Sequence, residues 1–151
     1  MTPPTSNDRR FLIFALQDSL FALDLAQIAE VRDPAQTWPI PLAPAYYTGA
    51  FSFHGDIIAV MDVALFLCLP GSINPGKLIV LNKEVSSLAF LVDRIVTIVS
   101  GEEAPFASTE GSGYIAATLS LPDGNALQLD LDVLVHEAER GMREIFTDKI
   151  P

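Results

Sequence analysis

Residues 11–24 read Phe-Leu-Ile-Phe-Ala-Leu-Gln-Asp-Ser-Leu-Phe-Ala-Leu-Asp, and residues 77–93 read Lys-Leu-Ile-Val-Leu-Asn-Lys-Glu-Val-Ser-Ser-Leu-Ala-Phe-Leu-Val-Asp. Each stretch is an apolar strand, a polar turn, a second apolar strand and an aspartate. That is the signature of a β-hairpin, and Asp24 is placed to cap a helical turn through Ile28. The sequences beyond also correspond. Glu30-Val31-Arg32 reads as an alternating strand, with Val31 inward and its charged neighbours outward, and residues 95–99 read as a strand of β-branched residues. Residues 49–53 and 57–61 flank His54-Gly55-Asp56 and predict a hairpin that turns at glycine, with Asp62 capping a short helical stretch through Leu67. Residues 114–121 and 126–129 flank Pro122-Asp123-Gly124-Asn125, a strong turn signal, and Asp130 precedes a helix.

Asp24 and Asp93 lie 69 residues apart, and Asp62 and Asp130 lie 68 apart. An offset that holds across two features means two copies of one unit, residues 11–69 and 77–135. Each copy carries about five short strands, which suits a small closed barrel because closure removes exposed edges. The expected fold is therefore all-β, with two small β-barrels packed together in a single domain over residues 11–146. A flexible arm over 1–10 precedes it. A C-terminal helix over about 131–146 completes it, with Leu134, Ala138, Met142, Ile145 and Phe146 at roughly helical spacing and Gly141 weakening its middle. Met142, Ile145 and Phe146 are expected to cover a barrel end.

The connections are distinctive. Residues 33–47 hold four prolines (Pro34, Pro39, Pro41 and Pro44), which exclude a helix or a central strand and predict an ordered loop carrying Trp38 beside Tyr46 and Tyr47. Residues 70–76 form a turn-rich connector, and residues 101–113 read as a polar loop.

Composition narrows the function. Half of the 151 residues are hydrophobic and the mean hydropathy is +0.35, ample for a packed core. No apolar run is long enough for a membrane span, and residues 1–10 lack the apolar region of a secretory signal, so a cytoplasmic location without membrane insertion is expected. The formal net charge is −10, and the nine basic residues are scattered; nucleic acid is not an expected partner, whereas a basic protein surface is compatible. The single cysteine, Cys68, sits among leucines and reads as a small buried hydrophobe. His54, Asp56 and Asp62 are read as turn residues and a helix cap rather than metal ligands. With two histidines, no nucleophile elbow, no phosphate-loop lysine behind Gly111-Ser112-Gly113, and Glu102-Glu103 read as solvated, neither catalysis, a cofactor nor a metal is expected.

Several ordered segments resemble the CheW family of bacterial chemotaxis adaptors. They are Phe11-Leu12-Ile13-Phe14, Phe21-Ala22-Leu23-Asp24, Ile28-Ala29-Glu30-Val31-Arg32 and Ala43-Pro44-Ala45-Tyr46-Tyr47-Thr48-Gly49. Residues 53–62, Phe-His-Gly-Asp-Ile-Ile-Ala-Val-Met-Asp, resemble the family motif Asn-Leu-Arg-Gly-x-Ile-x-Pro-Val-x-Asp, and Ile79-Val80-Leu81-Asn82 with Val92-Asp93 resemble its second-half signature. The resemblance implies two SH3-like five-stranded barrels and a scaffold without enzymatic activity. It implies two partners: the regulatory domain of a CheA-type histidine kinase, and the cytoplasmic tip of a chemoreceptor (a methyl-accepting chemotaxis protein). It also implies a protein-binding role for Glu30, Gly49 and the motif's Gly55, and for Leu78, Ala89 and Ile95 around docking surfaces. Arg32 joins Glu30 as a charged rim, and Ile28 and Ile57 read as either groove-lining or core. Two positions depart from the motif: His54 stands where the family has Arg, and Ala59 where it has Pro. The motif Arg is associated with receptor coupling, and a histidine lacks its forked charge.

Overall fold

A computed structural model describes residues 9–69 and 76–149, with side chains through Arg143. The arm up to residue 8, the connector 70–75 and the side chains of Ile145 and Phe146 lie outside the described residues. Among the described residues, eleven strands run in the order β1 (Arg10–Leu16), β2 (Ser19–Asp24), β3 (Ile28–Arg32), β4 (Tyr47–Phe53), β5 (Asp56–Asp62), β6 (Lys77–Leu81), β7 (Leu88–Val92), β8 (Arg94–Ser100), β9 (Phe106–Ser108), β10 (Ile115–Leu121) and β11 (Gly124–Leu129). A 3-10 turn (Leu25–Gln27) joins β2 to β3, α1 (Val63–Phe66) follows β5, and α2 (Leu131–Lys149) follows β11. The fold is all-β, with two SH3-like subdomains built on a six-stranded sheet, order β8-β1-β2-β11-β10-β9, and a five-stranded sheet, order β3-β6-β7-β5-β4.

The two sheets do not coincide with the two sequence repeats. With β9 set aside and each repeat's remaining strands numbered 1 to 5, both sheets contain the order 3-1-2-5-4, and each takes strands 1 and 2 from one repeat and strands 3, 4 and 5 from the other. The opening hairpins are exchanged, and the reason is the length of the links. Strands 2 and 3 both lie antiparallel to strand 1, on opposite sides of it, and are therefore parallel to each other. Joining them within one sheet requires a crossover of roughly a dozen residues. The chain supplies only Leu25–Gln27 in the first repeat and Asp93 alone in the second. Strand 3 must instead step across to the other sheet.

Exchange explains why the opening strands are apolar on both faces. Successive side chains in a strand alternate between faces. Phe11 and Ile13 fill the interior of the six-stranded subdomain, with Leu119 and Ala126, while Leu12, Phe14 and Leu16 point into a larger core between the sheets. In β6, Leu78 and Val80 fill the five-stranded subdomain, and Ile79 and Leu81 enter the shared core. Leu131, Leu134, Val135 and Ala138 of α2 close that shared core.

The caps expected at Asp24 and Asp62 form, and Asp130 supplies a third. Asp24 accepts from the Ala26 amide at 3.0 Å, Asp62 from Leu65 at 3.2 Å and Asp130 from Val133 at 3.3 Å. Asp93 does something else: it accepts from the amide of Gln17, the residue with φ of 56° in the β1–β2 turn, and so ties the two hairpins together.

Four expectations need correction. Val31 is 37% exposed, because β3 is an edge strand with a partner on one side only, and Arg32 is the more buried of the two. Cys68 is exposed: its backbone turns through φ of 62° after α1 and swings the thiol outward, while Leu67 and Leu69 pack against the shared core. The polar loop at 101–113 contains β9. Trp38 does not join the tyrosines. Tyr46 packs on Tyr47 and Phe66, with ring centroids 5.0 and 4.9 Å apart, whereas Trp38 is held by its backbone opposite Ala50 and is 62% exposed.

Candidate protein-docking surface

The register of the five-stranded sheet places several candidate residues in one line. Glu30 of β3 lies opposite Val80 of β6, Val80 opposite Ala89 of β7, Ala89 opposite Val60 of β5, and Val60 opposite Gly49 of β4. Residues directly opposite share a face, so Glu30, Ala89 and Gly49 belong to one row across all five strands, and Arg32 with Leu78 belongs to the next. That face is the interior of the subdomain. Leu78 and Ala89 are buried in it and shape the sheet from inside. Gly49 is buried too, with φ of 151°; a methyl group there would come within 2.8 Å of Thr37 Cβ, Thr37 Oγ1 and the Trp38 carbonyl oxygen. Ile28 and Ile95 are half-buried against the shared core, on different sheets.

β3 and β4 are opposite edges of the sheet, yet its curl brings them together. The Arg32 guanidinium lies 5.5 Å from the centroid of the Phe51 ring, a cation–π distance. Phe51 packs on Phe53 at 6.2 Å and Phe53 on His54 at 4.2 Å, while Arg32 pairs with Glu30 at 3.9 Å. Glu30, Arg32 and His54 are thus joined through two phenylalanines along the seam of the barrel. His54 (φ 49°) and Gly55 (φ 87°) are the central residues of the β4–β5 turn, both left-handed as a tight hairpin of this twist requires. Ile57 follows the turn and is 70% exposed. The seam ends in an exposed histidine and an exposed isoleucine, beside a charged pair.

Other surface residues were not apparent from sequence. Val96 and Ile98 on β8 are exposed hydrophobics, and Ile98 lies opposite Leu12, on the side that faces the shared core. β8, like β3, is an edge. Both sheets therefore present apolar side chains at an edge strand. A run of β-branched residues announces a strand, and only the strand order reveals which of them stay in water.

Two electrostatic features frame the surface. Lys77 Nζ donates to Asp33 Oδ1 at 2.7 Å, and this bond with the lysine charge holds the Asp33 carboxyl below its ordinary value, anchoring the start of the proline-rich loop to β6. Tyr47 Oη donates to the Ala138 carbonyl at 2.9 Å, and burial, with lesser contributions from Tyr46 and Glu139, pushes its phenol well above the ordinary value of 10.0. A raised phenol stabilises the fold fully below that value. As pH climbs past it the unfolded chain releases the proton and the folded chain retains it, so stability falls. Tyr47→Phe should flatten that alkaline fall, read from urea midpoints between about pH 9 and 11.

Among the described residues, no group of three or more His, Cys, Asp or Glu is arranged to hold a metal ion, and no helix is long and apolar enough to cross a membrane. The family model for the CheW-like domain matches residues 10–139. Chemotaxis protein CheW of Treponema pallidum (strain Nichols) is 26% identical over 151 aligned residues, covering 91% of this chain and 89% of the relative. Chemotaxis protein CheW of Rhizobium meliloti (strain 1021) is 24% identical over 98 residues, covering 64% and 63%. The crystal structure of the scaffolding protein TtCheW from Thermoanaerobacter tengcongensis superposes with a TM-score of 0.68 at 18% identity, covering 81% of this chain and 88% of that one, which establishes the shared fold.

Proposed function

The chain belongs to the CheW-like domain family, whose members are non-enzymatic scaffold and adaptor proteins, and from that premise we propose that it is a cytoplasmic coupling adaptor. One surface docks the regulatory domain of a CheA-type histidine kinase and another docks the cytoplasmic tip of a chemoreceptor. No cofactor takes part. The adaptor acts by geometry, holding the two partners at a set spacing so that receptor state biases kinase activity. The observation that supports this reading best is the family match across residues 10–139, spanning both sheets, in a chain that presents apolar residues to solvent on the edge strands β3 and β8. Surfaces of that kind suit protein partners.

A second reading has its own observation. His54 occupies the exposed tip of the β4–β5 hairpin where the family motif has Arg, which favours an adaptor that holds the kinase and not the receptor, as in a motility system of another kind. The test is co-sedimentation of the purified chain with a CheA-type kinase and with receptor-containing membranes from the same cell. Binding to both supports coupling. Binding to the kinase alone supports the second reading, and His54→Arg is then expected to create receptor binding. If neither partner binds, the adaptor function is wrong.

A further inference from the structure

Neither half of the chain builds a sheet by itself. Residues 9–69 contain the hairpins β1–β2 and β4–β5 and the strand β3, and among the described residues these three pieces do not pair with one another. Residues 76–149 contain the hairpin β6–β7, the strand β8 and the set β9, β10 and β11, again unpaired with one another. Four joins between the halves assemble both sheets: β1 with β8 and β2 with β11 in one, β3 with β6 and β5 with β7 in the other.

Side chains follow the strands. Lys77 Nζ donates to Asp33, the Asn82 side-chain amide to the Ala26 carbonyl and the Tyr47 hydroxyl to the Ala138 carbonyl, at 2.7, 2.7 and 2.9 Å, and all three bonds cross from one half to the other. The shared core takes Leu12, Phe14 and Leu23 from the first half and Ile79, Phe90 and Leu134 from the second. Residues 70–75 are the covalent connection between the halves.

We propose that this chain also forms an intertwined dimer, in which the first half of each copy is completed by the second half of the other. The partner follows from the complementarity itself. What fits residues 9–69 strand for strand is the half that begins at Gly76, and a second copy carries an identical one. Exchange keeps the four joins, the crossing hydrogen bonds and the shared core. It changes only which copy residues 70–75 lead to, so it is a low-cost route to a dimer. Each five-stranded sheet is then built by both copies: Glu30 and Gly49 come from one, Leu78 and Ala89 from the other. The seam from Arg32 through Phe51 and Phe53 to His54 stays within one copy, and the dimer displays it twice. The proposal does not depend on which partners the adaptor binds.

A short link holds the complementary half at an effective concentration on the order of 1 mM, so chains at micromolar concentration fold as monomers. The dimer arises when folding takes place near that concentration. Its return to monomers requires all four joins to open, so it outlives dilution.

A disulfide across one join tests this. Arg10 and Ser100 lie directly opposite across β1 and β8, within disulfide reach. In the full chain carrying Arg10→Cys, Ser100→Cys and Cys68→Ser, that bond closes within one chain in the monomer and between two chains in the exchanged dimer. The variant is refolded from urea under reductant at about 10 µM or about 1 mM. It is then diluted, oxidised and run on denaturing electrophoresis without reductant. Covalent dimer is expected to rise from about one chain in a hundred to about half. Ser52→Cys with Ile57→Cys and Cys68→Ser, a pair inside the β4–β5 hairpin, should give monomers under the same treatment. Size-exclusion chromatography of the unsubstituted chain, refolded in the same way, reads the dimer independently of the new cysteines. The proposal is overturned if that chain forms no dimer at the higher concentration. It is also overturned if a dimer forms whose covalent product is monomeric, which is ordinary surface association, or if the hairpin pair gives the same covalent dimer, which is adventitious crosslinking.

Discussion

Replacing Gly49 with alanine is expected to destabilise the fold by about 3 kcal/mol. Two penalties act together. The backbone there has φ of 151°, a conformation that side-chain-bearing residues rarely adopt, and the new methyl would meet Thr37 and the Trp38 carbonyl oxygen at 2.8 Å. A backbone carbonyl cannot swing aside as the tip of a long side chain can. Relief requires the loop to lift, which breaks the paired 2.8 Å hydrogen bonds between Trp38 and Ala50. Gly55→Ala is the control, because φ is 87° there but nothing lies within 4 Å of the added methyl; its cost should stay near 1 kcal/mol. Urea unfolding followed by the emission of Trp38, the single tryptophan, reads both variants. Equal losses for the two glycines would refute the steric account. If Gly49→Ala keeps its fold but binds a partner less well, the defect arises from displacement of the loop, since the glycine itself is buried.

Phe90→Ala should cost more, about 3–5 kcal/mol. Phe90 is fully buried in the core between the sheets, opposite Ile79 of β6 on one side and Met61 of β5 on the other. Because that core is shared, the loss should not be confined to one subdomain. Far-UV circular dichroism, which sees both sheets, and Trp38 emission, which sees the five-stranded one, should report a single transition moved to lower urea. Two separated transitions would mean that the subdomains are stable independently of the core between them.

Much of this architecture was readable from residues alone. The two hairpins, the repeat and the capping roles of Asp24 and Asp62 all follow from local pattern, because a strand's alternation and a cap's spacing are short-range properties. The exchange of hairpins was not read, although the information was present: a link of three residues after β2 and of one after β7 is too short for a parallel crossover. Edge position was less accessible. Val31 looked buried by alternation and is left 37% exposed by its place on an edge strand, although its partner Ile79 enters the shared core. Cys68 looked buried among leucines until a left-handed backbone turned it out. The candidate surface was legible only in parts. Glu30 and Arg32 are neighbours in sequence, but their link to His54 runs through Phe51 and Phe53 and depends on the curl of the whole sheet.

The exchanged hairpins also bear on how the chain can be made. The five-stranded sheet has β3, β4 and β5 in place early, but its two central strands end only at Leu81 and Val92, and the six-stranded sheet waits for β11, which ends at Leu129. Neither subdomain can close on the ribosome when its first repeat has emerged. The first repeat must remain an open set of strands, with unsatisfied edges, until the second arrives. Folding is then a late and concerted event dominated by distant pairings, which are slow to form and leave a window for association between nascent chains.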